Sequence, residues 1–136
     1  MCARLRLRAM DVPGELRYTN DHEWVRVTED GVVRLGVTDY AQDALGDVVF
    51  VELPDIGAGL SSGAVCGEIE STKSVSEVYA PLDGAVTSVN SAIVDDPSLI
   101  NSDPYGEGWI LEIRLNDPAS VDALLSADDY RSLTEG

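Results

Sequence analysis

Lysine is nearly absent from this chain: Lys73 is the only one in 136 residues, although arginine occurs throughout. Histidine is represented by His22 alone. A Ser-His or Cys-His nucleophile pair would therefore have to use that single imidazole. The two cysteines, Cys2 and Cys66, are too few for a disulfide scaffold and form no Cys-x-x-Cys pair, which points to a reducing compartment. With one histidine and two separated thiols, a metal site is not expected. There is no Gly-x-Gly-x-x-Gly and no P-loop. No apolar run approaches the length of a membrane span.

What is abundant is acid. Twenty-five acidic residues against nine basic ones give a net charge of −16. Such a surface repels nucleic acid and anionic membranes and steers basic protein surfaces toward it. Neither nucleic acid nor membrane is therefore expected as a partner. The length suits one domain, and 44% hydrophobic residues suit a packed core. The opening "MCARLRLRAM" differs from the rest, with Arg4, Arg6 and Arg8 and no acid. It lacks the apolar core of a secretory signal. An extension ahead of a start at Met10 is favoured over a short targeting segment. Residues 1–15 are accordingly expected as a poorly ordered extension, and 16–136 as a single domain.

Most of the chain reads as short strands broken by turns. "EWVRVTE" alternates, with Val25 and Val27 on one face. "GVVRLGVT" follows a turn-like "EDG" and completes a hairpin. "TDYAQDALG" reads as a short helix, capped by Thr38 or Asp39 and ended by Gly46. "DVVFVEL" reads as a strand with substantial burial, and "PDIGAGLSSG" as loop. "AVCGEIES" and "SVSEVYA" form a second hairpin around Thr72-Lys73. "AVTSVN" and "WILEIRL" are further strands. Asp96 and Pro97 predict one or two helical turns. Asp117-Pro118 opens a helical end, and a second helix starts near Ser126. Trp24 and Trp109 are expected to pack in the core or against a sheet. Cys66 is expected as a small buried side chain. The result is a mainly β domain, a flattened barrel or sandwich, with short helices and a C-terminal helical tail.

Lys73 is the residue whose chemistry arginine cannot replace. A guanidinium is delocalised and permanently protonated, whereas a lysine amine can be acylated or form a Schiff base. A catalytic Schiff-base lysine needs a desolvated pocket. Lys73 instead sits at a hairpin tip among Glu68, Glu70 and Glu77, which favour the charged amine. The position fits a lysine presented for modification on rigid support.

The segment "GEIESTKSVSEVYAPLDGAV" resembles the lipoyl attachment hairpin of the glycine cleavage system H protein family. "YTNDHEWVRV", "LGVTDYAQDALGDVVFVELPDIG" and "LINSDPYGEGWILEI" agree in the same order. Biotin carriers usually present Met-Lys-Met, and lipoyl domains of 2-oxo acid dehydrogenases usually read Asp-Lys-Ala. Here the sequence is Thr72-Lys73-Ser74.

The resemblance implies the lipoyl-carrier fold, with lipoate in amide linkage to Lys73. It implies a carrier without catalysis of its own. It would take the aminomethyl group of glycine from glycine decarboxylase to the tetrahydrofolate-dependent aminomethyltransferase, with dihydrolipoamide dehydrogenase restoring the oxidised arm. It also implies recognition by a lipoate-attaching enzyme through Glu70 and Gly57. Asp21, His22 and Glu23 match the segment beside the loaded arm, where Glu23 would hold the cationic amine. A monomer in a bacterial cytoplasm is expected, ahead of a mitochondrial matrix. A lipoate relay to other proteins and a lysine-dependent enzyme acting unaided remain the alternatives.

Overall fold

The computed structural model describes residues 12–135, so most of the expected extension lies outside the described residues. Among the described residues nine strands form two open sheets. The larger has six strands and the smaller three. The arrangement is a sandwich of open sheets, not a closed barrel.

The large sheet is nucleated by a hairpin. β2 (Glu23–Glu29) and β3 (Val32–Val37) pair antiparallel across the turn at Asp30-Gly31, and Gly31 has φ 80°. β9 (Leu111–Leu115) adds to β3, and β8 (Gly84–Val89) adds to β9. Alternation along these strands sends Val25, Val33, Leu35, Leu111 and Ile113 into one core. Val27 shares the face of Val25 but is 56% exposed. The register shifts between Val27 and Glu29, and the strand's end leaves the core. Two short strands flank the sheet, β1 (Arg17–Tyr18) on β2 and β5 (Gly59–Leu60) on β8. The second reads as loop from sequence, because two residues carry no periodicity.

The small sheet pairs β4 (Val48–Glu52) with β6 (Val65–Ser71), and β6 with β7 (Val75–Tyr79). Val51, Ile69 and Val78 face the shared core. β4 is less buried than its apolar sequence suggests. A register shift between Val48 and Phe50 leaves Val49 54% and Phe50 51% exposed.

Helix α1 (Asp39–Leu45) crosses from the large sheet to the small one. Of the two candidate caps Thr38 is the one used: its hydroxyl accepts the Ala41 N–H. Gly46 ends the helix at φ 81°. Before the expected turns at Asp96-Pro97 stands another short helix, α2 (Ala92–Asp95), and Asp96 terminates it. The turn that follows is α3 (Leu99–Ser102), preceded by Ser98 in place of Asp96. Asp117 caps a 3₁₀ segment, Pro118–Ala123, by accepting the Ala119 N–H. Ser126 opens α4 (Ala127–Glu135) by accepting the Asp129 N–H.

A second core gathers Val12, Leu16, Tyr18, Trp24, Ala127 and Tyr130. Tyr18 and Tyr130 stack with ring centroids 4.7 Å apart, joining α4 to β1. Trp24, fully buried, lies across Gly36 on the neighbouring strand. Trp109 is half-buried beneath the Arg34 guanidinium at 4.4 Å. Cys66 is buried, and burial pushes its thiol up to about 12, so it is inert filler of the core.

A Cβ at Gly36 would stand 2.5 Å from the Trp24 ring. The indole cannot retreat, because it is enclosed and its Nε1–H donates to the Pro104 carbonyl at 2.9 Å. Gly36→Ala is expected to lower unfolding free energy in urea by about 1–3 kcal/mol. An unchanged midpoint would show that the indole yields.

Candidate functional site

Lys73 stands on the tip joining β6 and β7. Ser71 builds that tip: its hydroxyl oxygen accepts the N–H groups of Lys73 and Ser74, and its N–H donates to the Ser74 carbonyl at 2.8 Å. The tip is anchored from below. The Thr72 N–H donates to the Asp47 carbonyl at 3.0 Å. Asn101 on α3 then holds that connection by accepting the Val48 N–H and donating to the Gly46 carbonyl. The lysine is exposed, and its stem lies over Gly46. A Cβ at Gly46 would lie 3.2 Å from Lys73 Cε, so glycine serves the helix end and the lysine stem together.

A cleft of about 260 Å³ opens beside the tip, between α1 and β7. Ser74 and Leu45, the chain neighbours of Lys73 and Gly46, both line it, so the lysine stands at its rim. Val37, Ala41, Ile69 and Val78 give it apolar walls, while Asp21, His22 and Glu23 close one end.

Those three residues reach the cleft through a turn built by Thr19. Its hydroxyl oxygen accepts the N–H groups of Asp21 and Glu23. His22 takes φ 65°, a left-handed conformation open to histidine though uncommon for it. Glu23 is thereby turned inward and is 2% exposed. One carboxyl oxygen accepts the Tyr79 N–H at 2.7 Å, and the other accepts the Thr19 hydroxyl at 3.3 Å. Burial raises the carboxyl to about 8; Asp21 adds to the rise, and the two hydrogen bonds oppose it.

His22 is held between rings. It stacks on Tyr40 with centroids 4.5 Å apart, and its Nδ1 lies 2.8 Å from the Tyr130 hydroxyl. The same hydroxyl lies 2.7 Å from Thr38 Oγ1, the cap of α1. Burial lowers the imidazole's pKa, against the opposing pull of Asp21. Tyr130 therefore links the last helix to the cleft wall. Sequence reading missed Tyr130 and Tyr40, since an aromatic in an acidic helix gives no sign of what it will touch. Of the other expected residues, Glu70 lies on β6 three residues before the lysine. Gly57 lies in the β4–β5 loop at φ 95°, its N–H donating to the Val86 carbonyl, and it is not in the cleft lining. No cluster of His, Cys, Asp or Glu among the described residues is arranged to hold a metal ion. No helix among them is long and apolar enough to cross a membrane.

These features define a class of fold: a mainly β domain that presents its single lysine at a braced hairpin tip, beside an apolar cleft that ends in a buried carboxyl. Comparison with known proteins narrows the class. A sequence model of the glycine cleavage H-protein family matches residues 16–136. The glycine cleavage system H protein of Mycobacterium avium is 55% identical over 130 residues, covering 92% of this chain and 98% of that one. That of Mycobacteroides abscessus is 50% identical over 129 residues, with 92% and 98% covered. A crystal structure of the Mycobacterium marinum glycine cleavage system H protein superposes with a TM-score of 0.84 at 45% identity, covering 92% of this chain and 100% of that one. The chain belongs to the glycine cleavage H-protein family.

The Glu23 carboxyl has a consequence for stability. Unfolded, it loses its proton near 4.5; folded, it keeps it to about 8. Between those values the native state binds more protons, so stability falls as pH rises through that window. The loss is expected to be on the order of 2–4 kcal/mol. Glu23→Gln is expected to flatten that slope in urea unfolding at pH 5, 6.5 and 8. Parallel curves for the two proteins would mean that the native carboxyl is ionised.

Proposed function

We propose that this chain is a lipoyl-carrying shuttle of the glycine cleavage system, with lipoate in amide linkage to Lys73 and no catalysis of its own. One observation carries the reading: the sole lysine of the sequence stands at the rim of a cleft that suits an aliphatic arm and ends in an acid. Lipoate supplies a dithiolane able to take up an aminomethyl unit and give it up again.

The protein's own groups do the rest. Val37, Ala41, Leu45, Val75 and Val78 offer apolar walls to an aliphatic arm and exclude water along it. Glu23 offers a carboxylate to a cationic end group. Because burial keeps its proton on until about pH 8, entry of a cation near neutrality would displace that proton. His22, braced by Tyr40 and Tyr130, forms part of the same wall. Glu70 and Gly57 serve recognition by a lipoate-attaching enzyme. Glycine decarboxylase, aminomethyltransferase and dihydrolipoamide dehydrogenase meet the arm in turn. The molecule works as a monomer in a bacterial cytoplasm.

Intact mass after incubation with a lipoate-attaching enzyme, ATP and lipoate tests the assignment. One lipoyl increment is expected on the natural sequence and none on Lys73→Arg. An unmodified natural protein, or a modified Lys73→Arg, would sink it. Reconstitution with glycine decarboxylase should then load the lipoylated protein from glycine. Failure there would favour a lipoate relay.

A further inference from the structure

The outer face of the small sheet is built against its own stability. Register places Phe50, Glu70 and Val75 side by side across β4, β6 and β7, and Glu52, Glu68 and Glu77 in the next outward row. Side chains directly opposite on adjacent strands lie about 4.5–5.5 Å apart at Cβ, and like charges so placed repel. No arginine or lysine pairs with these three glutamates among the described residues. Beside them Phe50 and Val75 remain 51% and 59% exposed. A stabilising sequence would alternate charge signs along that row and keep a phenylalanine out of water.

We propose that this face is the docking surface for the enzyme that acylates Lys73. The partner surface would carry arginine or lysine side chains for the glutamate row and an apolar socket for Phe50. The inference rests on the carrier reading and extends recognition beyond the hairpin tip. Three features select that occupant. The two strands bearing most of the face are the arms that hold Lys73, so a protein bound there finds the amine at a fixed distance. The face is continuous with the tip through Glu70 and Val75. Val75 and Glu77 stand at the edge that face and cleft share, and the rest of the cleft lining, with Ala41, Ile69 and Val78, is left free for the arm. An enzyme acting before any arm exists has only the hairpin and its own face to recognise. The shuttle's later partners have the arm and cleft.

The test is acylation of Lys73 by a lipoate-attaching enzyme, followed by intact mass at several carrier concentrations and salt levels. Glu68→Gln removes the middle charge of the row. It is expected to raise the urea midpoint, because repulsion is relieved, while lowering kcat/KM about 3–10-fold and weakening its salt dependence. Phe50→Ala is expected to raise KM about tenfold with kcat unchanged. Glu29→Gln, on the exposed end of β2, is the control and should acylate normally. A Glu68→Gln protein that is more stable yet acylated slowly supports docking, since damage to the fold cannot produce that pair of results. Acylation of Glu68→Gln and Phe50→Ala at the natural rate would overturn it. So would a slow step that appears only in loading by glycine decarboxylase, which would assign the face to a later partner. If the natural sequence is not acylated at all, the carrier reading fails, and this inference with it.

Discussion

The two sheets are tied at a buried carboxyl. Glu23 belongs to the first long strand of the large sheet, yet it accepts the backbone N–H of Tyr79 at the end of the small one. β7 is an edge of its sheet, and this bond occupies an edge amide inside the protein. The arrangement requires an acid where alternation would otherwise favour an apolar residue, and it requires that acid to be desolvated. The left-handed backbone at His22 follows from it, because the chain must turn sharply to send Glu23 inward while His22 goes to the aromatic wall. The raised pKa is the electrostatic face of the same constraint. A carboxyl that holds the sheets together through one oxygen is also one that a cation in the cleft would ionise.

Much of the frame was legible in the sequence because it depends on local patterns. The β2–β3 hairpin, α1 with its cap and glycine stop, the arms around Lys73 and the Ser126 start of α4 all carry short-range signals. The site was legible in outline. Lys73 emerged from scarcity and hairpin symmetry, and the match of "NDHEW" with a known family brought in His22 and Glu23. What sequence could not supply was contact between distant segments. Tyr130 stands 108 residues from His22, and its hydroxyl reaches both that ring and Thr38. The exposure of Val27, Val49 and Phe50 was also hidden. It depends on register shifts that redirect side chains, and an apolar run looks the same with or without a bulge. Asp96 gave a sound cap signal in the wrong role, because helix α2 arrives there first.

Two kinds of rigidity meet at the hairpin. From beneath, Asn101 fixes the Gly46–Val48 connection, and Asp47 fixes the tip through Thr72. From within, Ser71 closes the turn with its own hydroxyl. These bonds fix the backbone at Lys73, and the exposed side chain extends past that boundary with its stem over Gly46.

That boundary bears on selectivity. A carrier rich in surface lysines would confront any acylating enzyme with competing amines, and errors would have to be corrected by geometry alone. Here arginine replaces lysine at every other basic position, and a guanidinium does not compete for an acyl group. Within this molecule the target is chosen by elimination. With Lys73 acylated, no side-chain amine is left for a second acylation to find.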